Sequence, residues 1–241
     1  FAFSYRTNFG MPKIGLDFSL LRNLLKDAKY QYSFSLTNFF SRNIDNVLVG
    51  KFFGVSSLSI YDRAYLLMKY PIQLITFALT PAIQPVITDI KDKNKIAKLH
   101  DIFVLRLSMI GMLAGLFCFT FSEVIVLTIL GNQWNDVVPI FQLLSISLPI
   151  QIVYASHGGF FQAMRKFKLL FILSFLSALL FMLAFLYGVS QQSLEILCWS
   201  FNYAFLISFI ITYTSMYKFL FRKNLFNFFF RTSPSLLAFF I

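Results

Sequence analysis

From Ile102 to Tyr217 the chain is a succession of apolar runs, most of them about as long as a bilayer is thick and each closed by a short polar turn. A helix needs ~20 residues to cross the hydrocarbon core. No water is available there, so each segment must bond its own backbone, which a helix does internally. Hydrophobic residues make up 58% of the chain and charged residues 13%. A soluble domain is about half apolar and a quarter charged. The fold class read from this is all-α: a polytopic transmembrane helical bundle of about six spans plus the start of another.

The spans are expected at 30–53, 57–90, 102–120, 137–164, 169–189 and 196–217. The stretch Asn38–Pro85 sets the others in order, because it carries Arg42, Asp45, Lys51, Asp62, Arg63 and Lys69 inside apolar flanks. A charge at the bilayer centre costs at least ~2.5–3.5 kcal/mol unless it faces a neighbouring helix or a wet cavity. At ~100° per residue, Gln31, Ser35, Asn38, Arg42, Asp45 and Asn46 share one side of the first span, with Leu36, Phe40, Ile44 and Val47 opposite. Gly50 and Gly54 bracket an outer turn. The second helix is too long for one straight crossing, and Pro71, Pro81 and Pro85 are expected to kink or break it. Lys69, Gln73, Thr76, Thr80 and Gln84 give it a polar stripe.

Further on, Gly111 and Gly115 stand at the small-xxx-small spacing of closely packed membrane helices. Ser122–Leu130 is too short to cross alone, and Trp134 suits an interface. The span 169–189 is almost purely apolar and is assigned to lipid. Cys118 and Cys198 both lie in apolar runs and read as inert core thiols. Residues 1–29 form a basic cytoplasmic or interfacial linker, 30–217 the transmembrane bundle, and 218–241 a basic turn with the start of a truncated span. In the linker, 16–25 is open to two readings, an interfacial amphipathic helix or a plain loop. The chain starts at Phe1 and stops inside an apolar run at Ile241, so it is expected to be a fragment of a longer protein.

The net charge of +11 does not indicate nucleic acid, because the basic residues gather at the ends of apolar runs. Segments 1–29, 89–101, 165–168 and 218–231 hold 16 of the 21 Lys and Arg residues. The intervening turns hold Lys51, Glu123, Asp136 and Glu195. This alternation puts the start of the chain on the cytoplasmic side.

The run RNIDNVLVGKFFGVSSLSIYDRAYLLMKYPIQ at 42–73, the helix end at Pro85, the basic loop after it and LGNQW at 130–134 closely resemble the second half of bacterial polysaccharide exporters. These are the Wzx-type lipid-linked oligosaccharide flippases of the multidrug/oligosaccharidyl-lipid/polysaccharide superfamily, and the likeness is to their lipopolysaccharide and colanic-acid branch. It covers most of 15–165 and falls on Asp45, Asn46, Gly50, Gly54, Tyr61, Arg63, Ala64, Tyr65, Pro71, Pro85, Gly131 and Trp134. The resemblance implies half of a two-bundle exporter fold working by alternating access in the bacterial inner membrane. It implies an undecaprenyl-pyrophosphate-linked oligosaccharide as cargo, membrane lipids and a polysaccharide polymerase as partners, and a proton or sodium ion for coupling. No cofactor, metal or nucleic acid is expected.

The candidate substrate-binding residues are Asn38, Arg42, Asp45, Asn46, Arg63, Lys69 and Gln73. Arg42 offers a planar fork of donors to a phosphate or an acidic sugar; alternatively, Arg42 and Asp45 neutralise each other three residues apart. Asp62 and Arg63 read first as an ion pair at a helix start. Lys69 either binds phosphate or snorkels outward. Gln73, Gln84, Gln142 and Gln151 meet sugars or join helix to helix. His157 is read first as a packed, hydrogen-bonded histidine and second as a proton relay. Catalytic sets, metal-ligand spacings and Gly-rich phosphate loops are absent from the sequence, so an enzyme is not expected. Two rivals stand beside the flippase: a membrane polysaccharide polymerase or ligase, and a drug/cation antiporter of the same superfamily. Cysteines placed at 38, 42 and 45 should react with aqueous thiol reagents in at least one transport state; sealing of all three in every state would remove the polar-passage reading.

Overall fold

The computed structural model describes residues 18–41, 43–88, 90, 92–223 and 228–230, which are mostly helical with no strand among them. The helices are α1 (Phe18–Ser41), α2 (Ile44–Thr88), α3 (Lys93–Thr120), α4 (Ser122–Leu130), α5 (Val137–Ser145), α6 (Leu148–Tyr154), α7 (His157–Ala163), α8 (Phe167–Ser190) and α9 (Leu194–Ser215). A π-helical turn, Met216–Phe221, extends α9. Three segments are long and apolar enough to cross a membrane: α3, α8 and α9 with its π-helical turn. The pair α5 and α6–α7, bent by 52°, makes a fourth if it counts as one span. The expected crossings 30–53 and 57–90 do not meet that measure among the described residues. The chain is a multi-pass helical membrane bundle.

The first expected span is not one helix. α1 ends at Ser41, and Asn43 occupies a turn in which its backbone N–H bonds Phe40 O at 3.2 Å and its side-chain amide bonds Phe39 O at 2.6 Å. Asn competes with a helix in this way by offering the backbone a local alternative. The proposed single polar face from Gln31 to Asn46 is therefore cut between Asn38 and Asp45. At its other end, α1 runs without a break from Phe18 across the expected boundary at 29, so 18–29 is helix rather than loop. It packs on α8, with the Tyr30 and Phe171 rings 6.3 Å apart.

α2 runs through Pro71, Pro81 and Pro85 without a break, against expectation. Its only non-helical backbone is Gly54, at φ 83° and ψ 176°. Proline fits helical φ and costs one bond to the preceding turn, which neighbours at membrane depth can offset. Gly54 takes the turn because a side chain resists positive φ. The segment after it, 55–88, is about 50 Å long at ~1.5 Å per residue, longer than the ~30 Å core. The loop expected at 89–101 is helical from Lys93, with Asp92 capping α3 by accepting from Asn94 N at 2.9 Å.

α3 receives the broken unit α5–α7. A Cβ on Gly111 would stand 2.9 Å from Pro149 O, and one on Gly115 would stand 2.6 Å from Pro149 Cγ. The small-residue spacing is thus used for close packing, as expected. α8 and α9 form a hairpin whose turn holds Gln192 at φ 50°; Ser193 caps α9 by accepting from Ile196 N at 3.3 Å. Phe181, Phe185, Phe201 and Phe205 interlock between the two helices, the closest pair 4.7 Å apart. The other face of α8 presents Phe175, Leu179 and Leu183 outward, as a lipid-facing helix does. Cys118 and Cys198 are buried free thiols. Residues from 231 on, including the start of a seventh span, lie outside the described residues. Gly115→Val should cost about 1–3 kcal/mol, the scale of overpacking. A lowered melting temperature in detergent should show it. Gly158→Ala, whose added Cβ meets nothing nearer than Gln162 Nε2 at 3.9 Å, should be neutral or stabilising.

Candidate functional site

Asp45 sits in the first turn of α2, where the helix dipole favours a carboxylate. Its Oδ1 accepts from Asn46 N at 2.8 Å, and its Oδ2 accepts from the Tyr61 hydroxyl at 3.2 Å. Gly54 makes this second bond available, because the change of direction there brings the first turns of 55–88 back beside 44–53. Asp45 is 2% exposed and Tyr61 wholly buried. A buried carboxylate without partners would be far more costly than this one. Tyr61 stacks on Tyr65 at 6.0 Å, and Tyr65 meets Phe201 edge-on at 6.0 Å, so the cluster is braced by α9. Asn46 Oδ1 is buried without a partner, at a cost of about 1–3 kcal/mol.

The other candidates stand apart from this cluster. Arg42 lies outside the described residues, and with it the proposed Arg42–Asp45 pair. Asn38 is half-buried on α1. Lys69 is half-buried and Gln73 exposed, one turn apart on α2. Arg63, two residues or about 200° past Tyr61, is on the face away from it. The guanidinium of Arg63 lies 5.5 Å from the Trp134 ring centroid, a cation–π contact worth about 0.5–1 kcal/mol at an exposed site. The expected Asp62–Arg63 ion pair is not formed, and the helix starts too early for Asp62 to be in its first turn. An ion pair is formed instead by Arg165 and Asp27, 2.8 Å apart, joining the α7–α8 turn to α1. Lys51 is exposed beside Phe52, 5.5 Å from its centroid.

The glutamines that are described inside the bundle join helices. Gln142 Nε2 donates to Phe119 O at 3.4 Å. Gln151 Nε2 donates to Ser147 Oγ at 2.8 Å and lies 3.4 Å from Met68 Sδ. His157 is buried, its Nδ1 bonded to Tyr154 O and its ring 4.3 Å from that of Tyr154, the packed histidine first expected. The side chain of Gln84 lies outside the described residues. No group of three His, Cys, Asp or Glu side chains among the described residues is placed to hold a metal ion.

Two polar groups were missed. The first serves the breaks between α5, α6 and α7, which strand carbonyls in the core. Asn202 Nδ2 donates to Leu143 O at 2.8 Å, and both Tyr213 Oη and Ser156 Oγ donate to Val153 O at 2.8 Å. The second is His100 with Asp101 and Tyr217: His100 Nδ1 is 3.2 Å from Tyr217 Oη, which donates to Asp101 Oδ1. Both His100 and Asp101 are buried. The sequence signal was a His-Asp pair directly before the apolar run at Ile102, which reads as part of a basic loop until α9 is laid over it.

Residues 2–139 match the family described as polysaccharide biosynthesis protein, and the chain belongs to that family. The match takes in every candidate residue from Asn38 to Gln73. The teichuronic acid biosynthesis protein TuaB of Bacillus subtilis strain 168 is 25% identical over 203 residues, 83% of this chain and 42% of that protein. The lipopolysaccharide biosynthesis protein WzxC of Escherichia coli strain K12 is 23% identical over 209 residues, 85% of this chain and 42% of that protein. The chain thus spans less than half the length of these curated relatives. No solved structure matches it. The resemblance to polysaccharide exporters read from 42–73 and 130–134 is borne out.

Tyr61→Phe removes the hydroxyl from Asp45 and should lower stability by about 1–3 kcal/mol. On an Asp45→Ala background the same change should cost much less. Equal losses on both backgrounds in thermal melts would mean that the bond contributes nothing.

Proposed function

We propose that the chain is the second bundle of a flippase that moves undecaprenyl-pyrophosphate-linked oligosaccharide across the bacterial inner membrane by alternating access, for surface polysaccharide assembly. The observation that carries this reading is the family match over 2–139, which spans the charged stretch that a purely lipid-facing bundle would have no use for. The relatives' names place them in teichuronic acid and lipopolysaccharide biosynthesis.

The physical task is to carry glycan hydroxyls and a pyrophosphate through hydrocarbon, where each unsatisfied polar group costs several kcal/mol. A groove of amides and cations lowers that barrier while the polyprenyl tail stays in lipid. In this reading Arg42 and Lys69 supply the cationic side and Asn38, Asn46 and Gln73 supply amides, while Arg63, over the Trp134 ring, meets the cargo at the rim. Asp45, held by Tyr61, completes the set and competes with anionic cargo for Arg42. The task needs no covalent chemistry. The coupling ion of this reading is a proton or sodium, and a polysaccharide polymerase receives the cargo outside. The outer connections 131–136 and 191–193 are short, which supports a carrier over a polymerase or ligase with its own outer site.

In the full-length protein, Arg42→Ala should abolish polymer export and leave lipid-linked oligosaccharide on the cytoplasmic face, with the variant still inserted at normal level. Arg42→Lys should restore part of it. Normal export by a well-expressed Arg42→Ala variant would refute the role of Arg42; a null mutant that still exposes oligosaccharide outside would refute the flippase reading itself.

A further inference from the structure

Arg106 is the one basic residue inside the apolar stretch of α3, four residues past Ile102, where that stretch begins. Four residues are about 6 Å along a helix. The residue is exposed, and among the described residues its guanidinium makes no ion pair, hydrogen bond or cation–π contact. A charge on an apolar face at that depth is costly unless it reaches the interface or meets a counter-charge. The only acidic residue from Lys93 to Thr120 is Asp101. It is buried about 140° round α3 from Arg106 and accepts from Tyr217. Asp92, just before α3, is committed to Asn94 N as the cap.

At ~100° per residue, Lys95, Leu99, Ile102, Arg106, Leu113 and Phe117 fall within about 40° of one line along α3. All six are exposed. The line is cationic toward the helix start and apolar beyond Arg106. From Arg106 to Phe117 is about 16 Å at ~1.5 Å per residue, close to one leaflet's share of the ~30 Å core. A long side chain on a helix covers the turn before its own Cα, so the head of Arg106 is carried back toward the basic end. Arginine lays its stem on apolar surface and keeps its head at the boundary in this way. Membrane helices meet one another through small residues. Those of α3, Gly111 and Gly115, are already spent on Pro149, and this line offers only bulky side chains. Its shape and charge therefore suit a lipid better than another helix.

We propose that this face of α3 binds one anionic phospholipid, with the headgroup phosphate on Arg106 and an acyl chain along Leu113 and Phe117. The guanidinium offers the phosphate two parallel donors in one plane. The pair sits at the hydrocarbon boundary, where low polarity strengthens it. Lys95, about 16 Å nearer the helix start, is too far to share that phosphate and adds only a general attraction to the anionic surface. The bound lipid thus supplies the counter-charge that α3 does not, and it fixes the depth of α3 in its leaflet. This inference does not depend on what the protein carries.

The test is native mass spectrometry of the full-length protein in detergent with added dioleoyl-phosphatidylglycerol or dioleoyl-phosphatidylcholine. The unaltered protein should retain one phosphatidylglycerol under conditions that strip phosphatidylcholine. Arg106→Gln should lower that occupancy about fivefold, the scale of one basic residue at an anionic surface. Arg106→Lys, which keeps the charge without the fork, should lower it less. Lys93→Gln, exposed about 140° round α3, removes the same charge from another face and should leave occupancy unchanged. Glycerol phosphate, a headgroup without chains, should not displace the retained lipid. If Arg106→Gln does not accumulate, a lower occupancy in Arg106→Lys than in Lys93→Gln carries the proposal, and equal occupancy in those two overturns it. Unchanged occupancy in Arg106→Gln, or an equal loss in Lys93→Gln, also overturns it. Displacement by glycerol phosphate makes the site one for a free anion and overturns the lipid assignment.

Discussion

The bundle depends on the approach of Pro149 to the two glycines of α3. Side-chain hydrophobicity does little to hold helices together in lipid, where tails are as apolar as leucine; contact at backbone range does more. Gly111 and Gly115 permit that range only because neither carries a Cβ. The consequence is that a broken helix, α5–α7, lies in the centre of the bundle. Leu144, Leu148, Ile150, Ile152 and Val153 are all wholly buried there.

A broken helix at that depth strands carbonyls, and α9 supplies much of the remedy. Asn202 takes Leu143 O, and Tyr213 takes Val153 O. Tyr154, at the end of α6, lies 3.2 Å from Ser177 Oγ on α8 and 3.5 Å from Thr212 Oγ1 on α9. Polar residues inside the bundle thus act first as structural partners for an irregular backbone. The same ordering explains why Gln142 and Gln151 serve helix contacts. It also explains why the Asp45–Tyr61 bond, at the other break in regular helix, is the buried part of the charged stretch.

The positions that resisted reading from the sequence share one cause. Asp45 and Asn46 were placed by a helix taken to run straight through 42, and Asp62 by one taken to start at 57. Periodicity carries no phase across a break, so the side shared by Gln31, Ser35 and Asn38 does not by itself place Asp45 and Asn46. Pro71, Pro81 and Pro85 misled in the opposite sense, since a proline weakens a helix without being bound to end it. Arg63 was paired with its sequence neighbour Asp62, whereas its partner, Trp134, is separated from it by all of α3 and α4.

Composition and the spacing of apolar runs determined the helical membrane class, the extent of α8 and α9, the close packing at Gly111 and Gly115, and the family likeness in 42–73. These follow from local physics: the length of a span, the need to bond the backbone, and the small size of glycine. Only the tertiary structure decided which polar residues meet. Asp45 finds Tyr61 by way of the φ of Gly54, and His100 finds Tyr217 across 117 residues of chain by way of a π-helical turn. Both meetings are set by the relative rotation and depth of packed helices, which no stretch of sequence encodes by itself.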